Sequence, residues 1–241
     1  METRVDKIAE RIYRVSTFVP EIAAPAGFTF NQFLIDADEP LLFHTGMAPL
    51  FPRIRDAVKK IIDPNSLRWI GFSHMEGDEC GALNEWLALA PGATAVHGTI
   101  GCDIWLNDLS IRPPRALGDN ETLDLGGARV RWLATPHLPH NVDAGLLYEE
   151  TTATLFCSDL FTHAGAAPAL TEDDIFDAAI ETDKMFPFTP VTPQTGPGLR
   201  RLAALEPETL AIMHGSAFHG DGAAMLNRLA DYYDERLKAV V

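Results

Sequence analysis

Ser73-His74-Met75-Glu76-Gly77-Asp78-Glu79-Cys80-Gly81 is the stretch that organises the reading of this chain. It follows residues 67–72, Leu-Arg-Trp-Ile-Gly-Phe, an apolar run with the length and composition of a buried strand, and it precedes a helix-like segment. The stretch is therefore a strand-to-helix loop, the kind of place where a rigid scaffold carries chemistry. One imidazole and three carboxylates crowd into it, at His74, Glu76, Asp78 and Glu79. Such a concentration of negative charge is unfavourable unless a cation offsets it, which points to a metal. Taken alone, a run of acids is more often a solvated surface loop. The decision comes from elsewhere in the chain.

Histidine and aspartate recur at three later places. They are Thr135-Pro136-His137-Leu138-Pro139-His140 with Asp143, then Cys157-Ser158-Asp159, then Met213-His214-Gly215. Each follows an apolar, strand-like run. A lone His or Asp in such a place is ordinarily a loop or cap residue, but several strand ends converging at one edge of a sandwich can build a metal site from distant sequence. The pattern predicts a dinuclear site.

The rest of the chain supplies a β-rich scaffold. Strands are expected within 5–18, at 28–36, 41–43, 93–96, 121–125, 128–134, 145–149, 154–157 and 210–213. Helices are expected at 53–62, 82–90, 104–109, 171–185, 198–205 and over the C-terminal segment, where Leu226, Leu229, Ala230, Tyr233 and Leu237 share a face. Two β-rich halves closed by helices, with no low-complexity linker between them, predict a single α/β (α+β) domain over 1–241, a four-layer αββα sandwich.

With 34 acidic against 19 basic residues, the net charge of −15 excludes a phosphate-binding surface, so neither nucleic acid nor an anionic membrane is an expected partner. The first residues carry charges throughout and nowhere do eighteen apolar residues run together, so the reading is a cytoplasmic, soluble protein. Cys80, Cys102 and Cys157 form no C-x-x-C pair, which argues against a disulfide framework or a thiolate metal site.

The loop frame resembles the metallo-β-lactamase superfamily, whose zinc hydrolases carry H-x-H-x-D-H. Here the frame reads His74, Glu76, Asp78, Glu79, and the H-x-E-x-D form is similar to the diiron branch, the flavodiiron and oxygen-binding diiron proteins. His140-Asn141-Val142-Asp143, Leu155-Phe156-Cys157-Ser158-Asp159-Leu160-Phe161 and His214-Gly215 match further motifs of that branch, so the resemblance covers nearly the whole chain. It implies the four-layer metallo-β-lactamase fold, one metal held by His74, Glu76 and His140, a second by Asp78 and His214, and Asp159 bridging. Glu79 stands where flavodiiron proteins usually have His, and is open to ligation, to support from outside the ligand set, or to no role. His137 is a rival to His140. His44, at a strand end, is a candidate to hydrogen-bond a ligand, and His163 and His219 are candidate proton donors lining the pocket.

Replacing imidazole by carboxylate makes the donor set harder, which favours iron over zinc, with zinc or manganese as the alternatives. The expected function is binding or reduction of dioxygen, with nitric oxide as a related ligand. No flavodoxin-like phosphate loop or rubredoxin cysteine set is visible, so no bound FMN is expected and electrons would come from a separate donor protein, unless the centre only senses oxygen. Homodimers are common in the resembling family. The alternative of a different class is a dinuclear zinc or manganese hydrolase of esters, lactones, thioesters or phosphodiesters.

Overall fold

The computed structural model describes residues 1–240. Its first sheet runs β1 (Thr3–Ala9), β2 (Ile12–Val19), β3 (Phe28–Ile35), β4 (Leu41–Phe43), β5 (Trp69–Gly71), β6 (Thr94–Gly98) and β7 (Arg115–Leu117), in spatial order identical to chain order. The first four strands are antiparallel neighbours and the last four are parallel. The second sheet contains β8 (Thr122–Asp124), β9 (Arg129–Ala134), β10 (Gly145–Glu149), β11 (Thr154–Ser158), β12 (Leu170–Thr171), β13 (Thr209–Ile212) and β14 (Ala217–His219), ordered β12-β14-β13-β11-β10-β9-β8.

Helices α1 (Phe51–Val58), α2 (Gly77–Cys80) and α3 (Leu83–Leu89) accompany the first sheet, and α4 (Thr99–Gly101) and α5 (Asn107–Leu109) flank a π-helical turn at Cys102–Leu106. Helices α6 (Phe176–Met185), α7 (Thr195–Ala203) and α8 (Gly222–Val240) accompany the second. Three apolar layers result. Ile54, Val58, Leu83 and Trp86 pack between helices and the first sheet. Phe33, Phe43, Trp132 and Phe156 pack between the sheets. Leu155, Leu199, Leu226 and Leu229 pack between the second sheet and its helices. Full burial of each such side chain contributes roughly 1.5–3 kcal/mol. This is the expected αββα sandwich.

Strand direction decides where the site lies. In the first sheet β4 and β5 are parallel, so residues following both emerge at the same edge. In the second, β9 and β11 are each antiparallel to β10 and β11 is parallel to β13, so the ends of β9, β11 and β13 also emerge together. The Gly145 N–H donates to Ser73 O at 3.0 Å and joins the two edges.

The expected helix over 171–185 begins only at Phe176, because Leu170 and Thr171 pair with β14 as a short strand. The expected helix over 104–109 is the last part of a broken helical stretch that starts at Thr99. Strands β7, β12 and β14 have three residues or fewer, too short to show periodicity.

Candidate metal centre

His74 follows β5 and is fully buried, whereas Glu76 adopts an extended backbone (φ −146°, ψ 154°) just before α2 and reaches back toward it. His74 Nε2 lies 3.0 Å from Glu76 Oε2 and 3.5 Å from Asp159 Oδ2. His140 Nε2, from the loop after β9, lies 3.0 Å from the same Asp159 oxygen and 3.4 Å from Glu76 Oε2. One donor atom from each of His74, Glu76, His140 and Asp159 fits within a sphere of mutual distances under 4.8 Å. Beside this group, His214 Nε2 sits 3.2 Å from Asp78 Oδ2 and 3.2 Å from Asp159 Oδ1. The two oxygens of Asp159 thus face two different clusters.

Each imidazole is aimed by its far nitrogen. His214 Nδ1 donates to Thr29 O at 2.7 Å, leaving Nε2 as the free edge toward Asp78 and Asp159. His74 Nδ1 lies 3.3 Å from Ser73 Oγ, 3.4 Å from Ser158 Oγ and 3.4 Å from Glu79 Oε2. Asp143 Oδ2 accepts the Met75 N–H at 3.0 Å and pins the loop from below. Such outer contacts fix ring orientation and raise ligand basicity.

Burial disfavours charge on His74, but Glu79, Glu76 and Asp159 outweigh it and raise its pKa to about 10. His214 likewise rises to about 10, with Asp159 and Asp78 prevailing over burial. Burial works to raise the Asp159 pKa, yet hydrogen bonds from His140 and His214 drive it well below the carboxylate range. Nitrogen and carboxylate donors with no sulfur among them form a hard set that fits two divalent ions sharing Asp159.

Above the cluster lies a cavity of about 260 Å³, walled by Phe28, Phe30, Phe186 and Phe188 and floored by Glu76, Asp78, His140, Asp159 and His214. A larger groove of about 730 Å³ runs on the other side of the loop but includes only Glu76 of these five groups. The smaller cavity is the one that opens onto the clustered donors.

The other predicted residues fall elsewhere. His137 is exposed, in a left-handed turn (φ 65°), and its N–H donates to Asn141 O, so of the two rivals the cluster contains His140. Glu79 is buried beneath His74 rather than among the clustered donors. His44 is buried against Phe43, with Nδ1 3.4 Å from Glu79 Oε1 and therefore one residue removed from the cluster.

His163 is no proton donor to the cavity: its Nδ1 donates to Phe161 O and its Nε2 accepts the Ser216 N–H, so both ring nitrogens are used by backbone. It braces the turn carrying His214, where a Cβ on Gly215 would stand 2.3 Å from the ring. His219 is exposed beside Thr209, at the opposite end of β13 from His214, because β14 runs back antiparallel. Thr29 and Ser158, which hold ligands in place, had no local sequence signal; the Thr29 contact spans 185 positions.

Residues 28–215 match the family model described as ODP family beta lactamase. The chain is 27% identical over 219 residues to a putative diflavin flavoprotein A 1 of Nostoc sp. (strain PCC 7120), covering 88% of this chain and 37% of that one. It is 25% identical over 237 residues to the flavo-diiron protein FprA2 of Clostridium acetobutylicum, covering 90% and 58% respectively. It superposes on a flavo-di-iron protein from Thermotoga maritima, solved as a point mutant, with a TM-score of 0.82 at 20% identity, over 96% of this chain and 62% of the other. The chain therefore spans less than two thirds of the length of these relatives. Among the described residues no helix is long and apolar enough to cross a membrane. With the fold, the shared Asp159 and the family match in agreement, the chain belongs to the ODP family of the metallo-β-lactamase superfamily.

Proposed function

We propose that this chain is a diiron core that binds or reduces dioxygen, with nitric oxide as a related ligand and electrons arriving from a separate donor protein. One observation carries the reading: Asp159 turns one oxygen to His74 and His140 and the other to His214, in a donor set where Glu76 replaces an imidazole. In that set His74, Glu76 and His140 would hold one ion, Asp78 and His214 the other, and Asp159 both. Bound iron would supply open coordination positions and electrons.

The chain's own residues do the rest. Phe28, Phe30, Phe186 and Phe188 make the cavity above the cluster apolar, which suits a small uncharged diatomic and excludes water. Thr29 O, by accepting from His214 Nδ1, keeps the ring edge turned to the site. Glu76 is the most exposed of the ligand carboxylates, at 50%, and marks the side on which the site meets solvent.

The test is elemental analysis of protein made in iron-supplemented, low-zinc medium and purified without oxygen, followed by absorbance on admitting air. The expected result is about two irons per chain and a new ligand-to-metal band. Zinc or manganese persisting under that regime, with no spectral change, would replace this reading by a dinuclear hydrolase.

A further inference from the structure

Glu79 occupies the loop position at which the resembling flavodiiron proteins carry histidine, yet its side chain is fully buried beneath the ligands. Five groups from three strand ends meet its carboxylate. After β5, the backbone N–H groups of Ser73 and His74 donate to Oε2 at 2.9 and 2.8 Å, and His74 Nδ1 lies 3.4 Å from the same oxygen. From β11 in the other sheet, the Ser158 hydroxyl donates to Oε1. From the end of β4, His44 Nδ1 lies 3.4 Å from Oε1. The backbone takes part as well, since Glu79 O accepts the Thr45 N–H at 2.6 Å and the Thr45 hydroxyl at 3.2 Å.

The partners are not ordinary neighbours. His74 is a proposed ligand, and Ser158 directly precedes Asp159, the residue shared by both clusters. Ser158 holds a left-handed backbone (φ 50°), and His44 does too (φ 66°). Non-glycine residues keep such conformations only where surrounding contacts over-determine them. The Ser158 hydroxyl and the His44 ring both turn to one carboxylate, and the separation of His74 from Asp159 across the two sheets, 3.5 Å, is set just above it.

We infer that Glu79 is a positioning residue, an internal clamp that joins the ligand-bearing ends of the two sheets and fixes the His74–Asp159 spacing, and that it is not itself a ligand. This rests on the metal reading above. It follows that the ion that Asp78, His214 and Asp159 would hold draws no ligand from Glu79.

The experiment uses the full chain freed of metal and titrated with Co²⁺, whose visible bands report coordination and whose affinity is read by competition with a chelator. Three variants are compared. Ser158→Ala removes the cross-sheet link to Glu79 together with the 3.4 Å contact of that hydroxyl with His74 Nδ1, Glu79→Gln keeps size and acceptor, and Glu79→Ala removes the clamp. Expected is a loss of Co²⁺ affinity of about 10–100-fold for Glu79→Ala, a smaller loss for Ser158→Ala, and partial rescue in Glu79→Gln. The bound-cobalt band intensities of Glu79→Gln should keep the wild-type coordination number. The thermal midpoint of the metal-free protein should not change in Ser158→Ala in step with its affinity, as it would if the contact served folding alone. Wild-type affinity in both Ser158→Ala and Glu79→Gln overturns the clamp, and so does a coordination number lowered in Glu79→Gln, which would make Glu79 a ligand. Wild-type protein that takes up no cobalt sinks the metal reading itself, before any variant is compared.

Discussion

Metal uptake at this site must release protons, and the number follows from the geometry. In the metal-free protein burial opposes charge on His74, but Glu79, Glu76 and Asp159 prevail and hold its pKa at about 10. His214, held by Asp159 and Asp78 against its burial, also titrates at about 10. At neutral pH both rings carry a proton, and because Thr29 O takes the Nδ1 proton of His214, the second proton of that ring sits on Nε2, the edge a metal needs. The ion at Asp78 and His214 would therefore displace one proton, and the ion at His74 and His140 at least one, since burial opposes charge on His140 but its hydrogen bond to Asp159 prevails and raises its pKa. Apparent affinity should rise on the order of tenfold or more per pH unit for each ion as pH climbs toward 10. At pH 7 each ion should bind more weakly than to the proton-free site by a factor of roughly a thousand or more. Calorimetric titration with Zn²⁺ in buffers of different ionisation enthalpy counts the protons. A count well below one per ion at neutral pH, or an affinity that stays flat between about pH 7 and 9, would refute the reasoning. The same shift has a sign for folding: a pKa raised from 6.5 to about 10 gives stabilisation fully present below 6.5 and lost as pH rises through 10. Metal-free protein should accordingly melt lower at alkaline pH than at neutral pH, and saturating metal should remove that difference.

Other outcomes are equally specific. Glu76→His softens the donor set, so purified variant should carry more zinc relative to iron than wild type under identical growth, measured by elemental analysis; unchanged metal content would show that Glu76 does not select. Gly145→Ala places a Cβ 2.1 Å from Trp132 at the point where the sheets are tied, and should cost about 1–3 kcal/mol in denaturant unfolding. His219→Ala, at an exposed position on the far side of β13, should change stability by less than about 0.5 kcal/mol and leave metal content untouched. His163→Ala strips the brace from the His214 turn and should lower both stability and metal occupancy, read by thermal unfolding and metal analysis; occupancy equal to wild type would leave His163 with a packing role alone.

The order of layers and most of the candidate ligands were legible because each ligand stands where an apolar run gives way to a loop, and that change of polarity is local. His74 after β5, Asp159 after β11 and His214 after β13 all carry this mark. Direction was less legible. An apolar run looks the same read toward either end of a sheet, and β14, at three residues, was too short to show that the chain turns back after His214 and carries His219 away from the site.

Glu79 was hidden by a different cause, angular rather than topological. Asp78 and Glu79 are adjacent in sequence and alike in charge, so in a linear reading both belong to the acidic cluster. Helix α2 begins at Gly77, however, and successive helical residues point about 100° apart. Once Asp78 faces His214 across the cavity floor, Glu79 must point elsewhere, and the turn of α2 directs it inward, to the ends of β4, β5 and β11. What waits there, a serine hydroxyl, two imidazoles and two backbone N–H groups, comes from strand ends as much as 79 positions away. The sign of the charge was local information, but its use depends on which way one turn of helix faces.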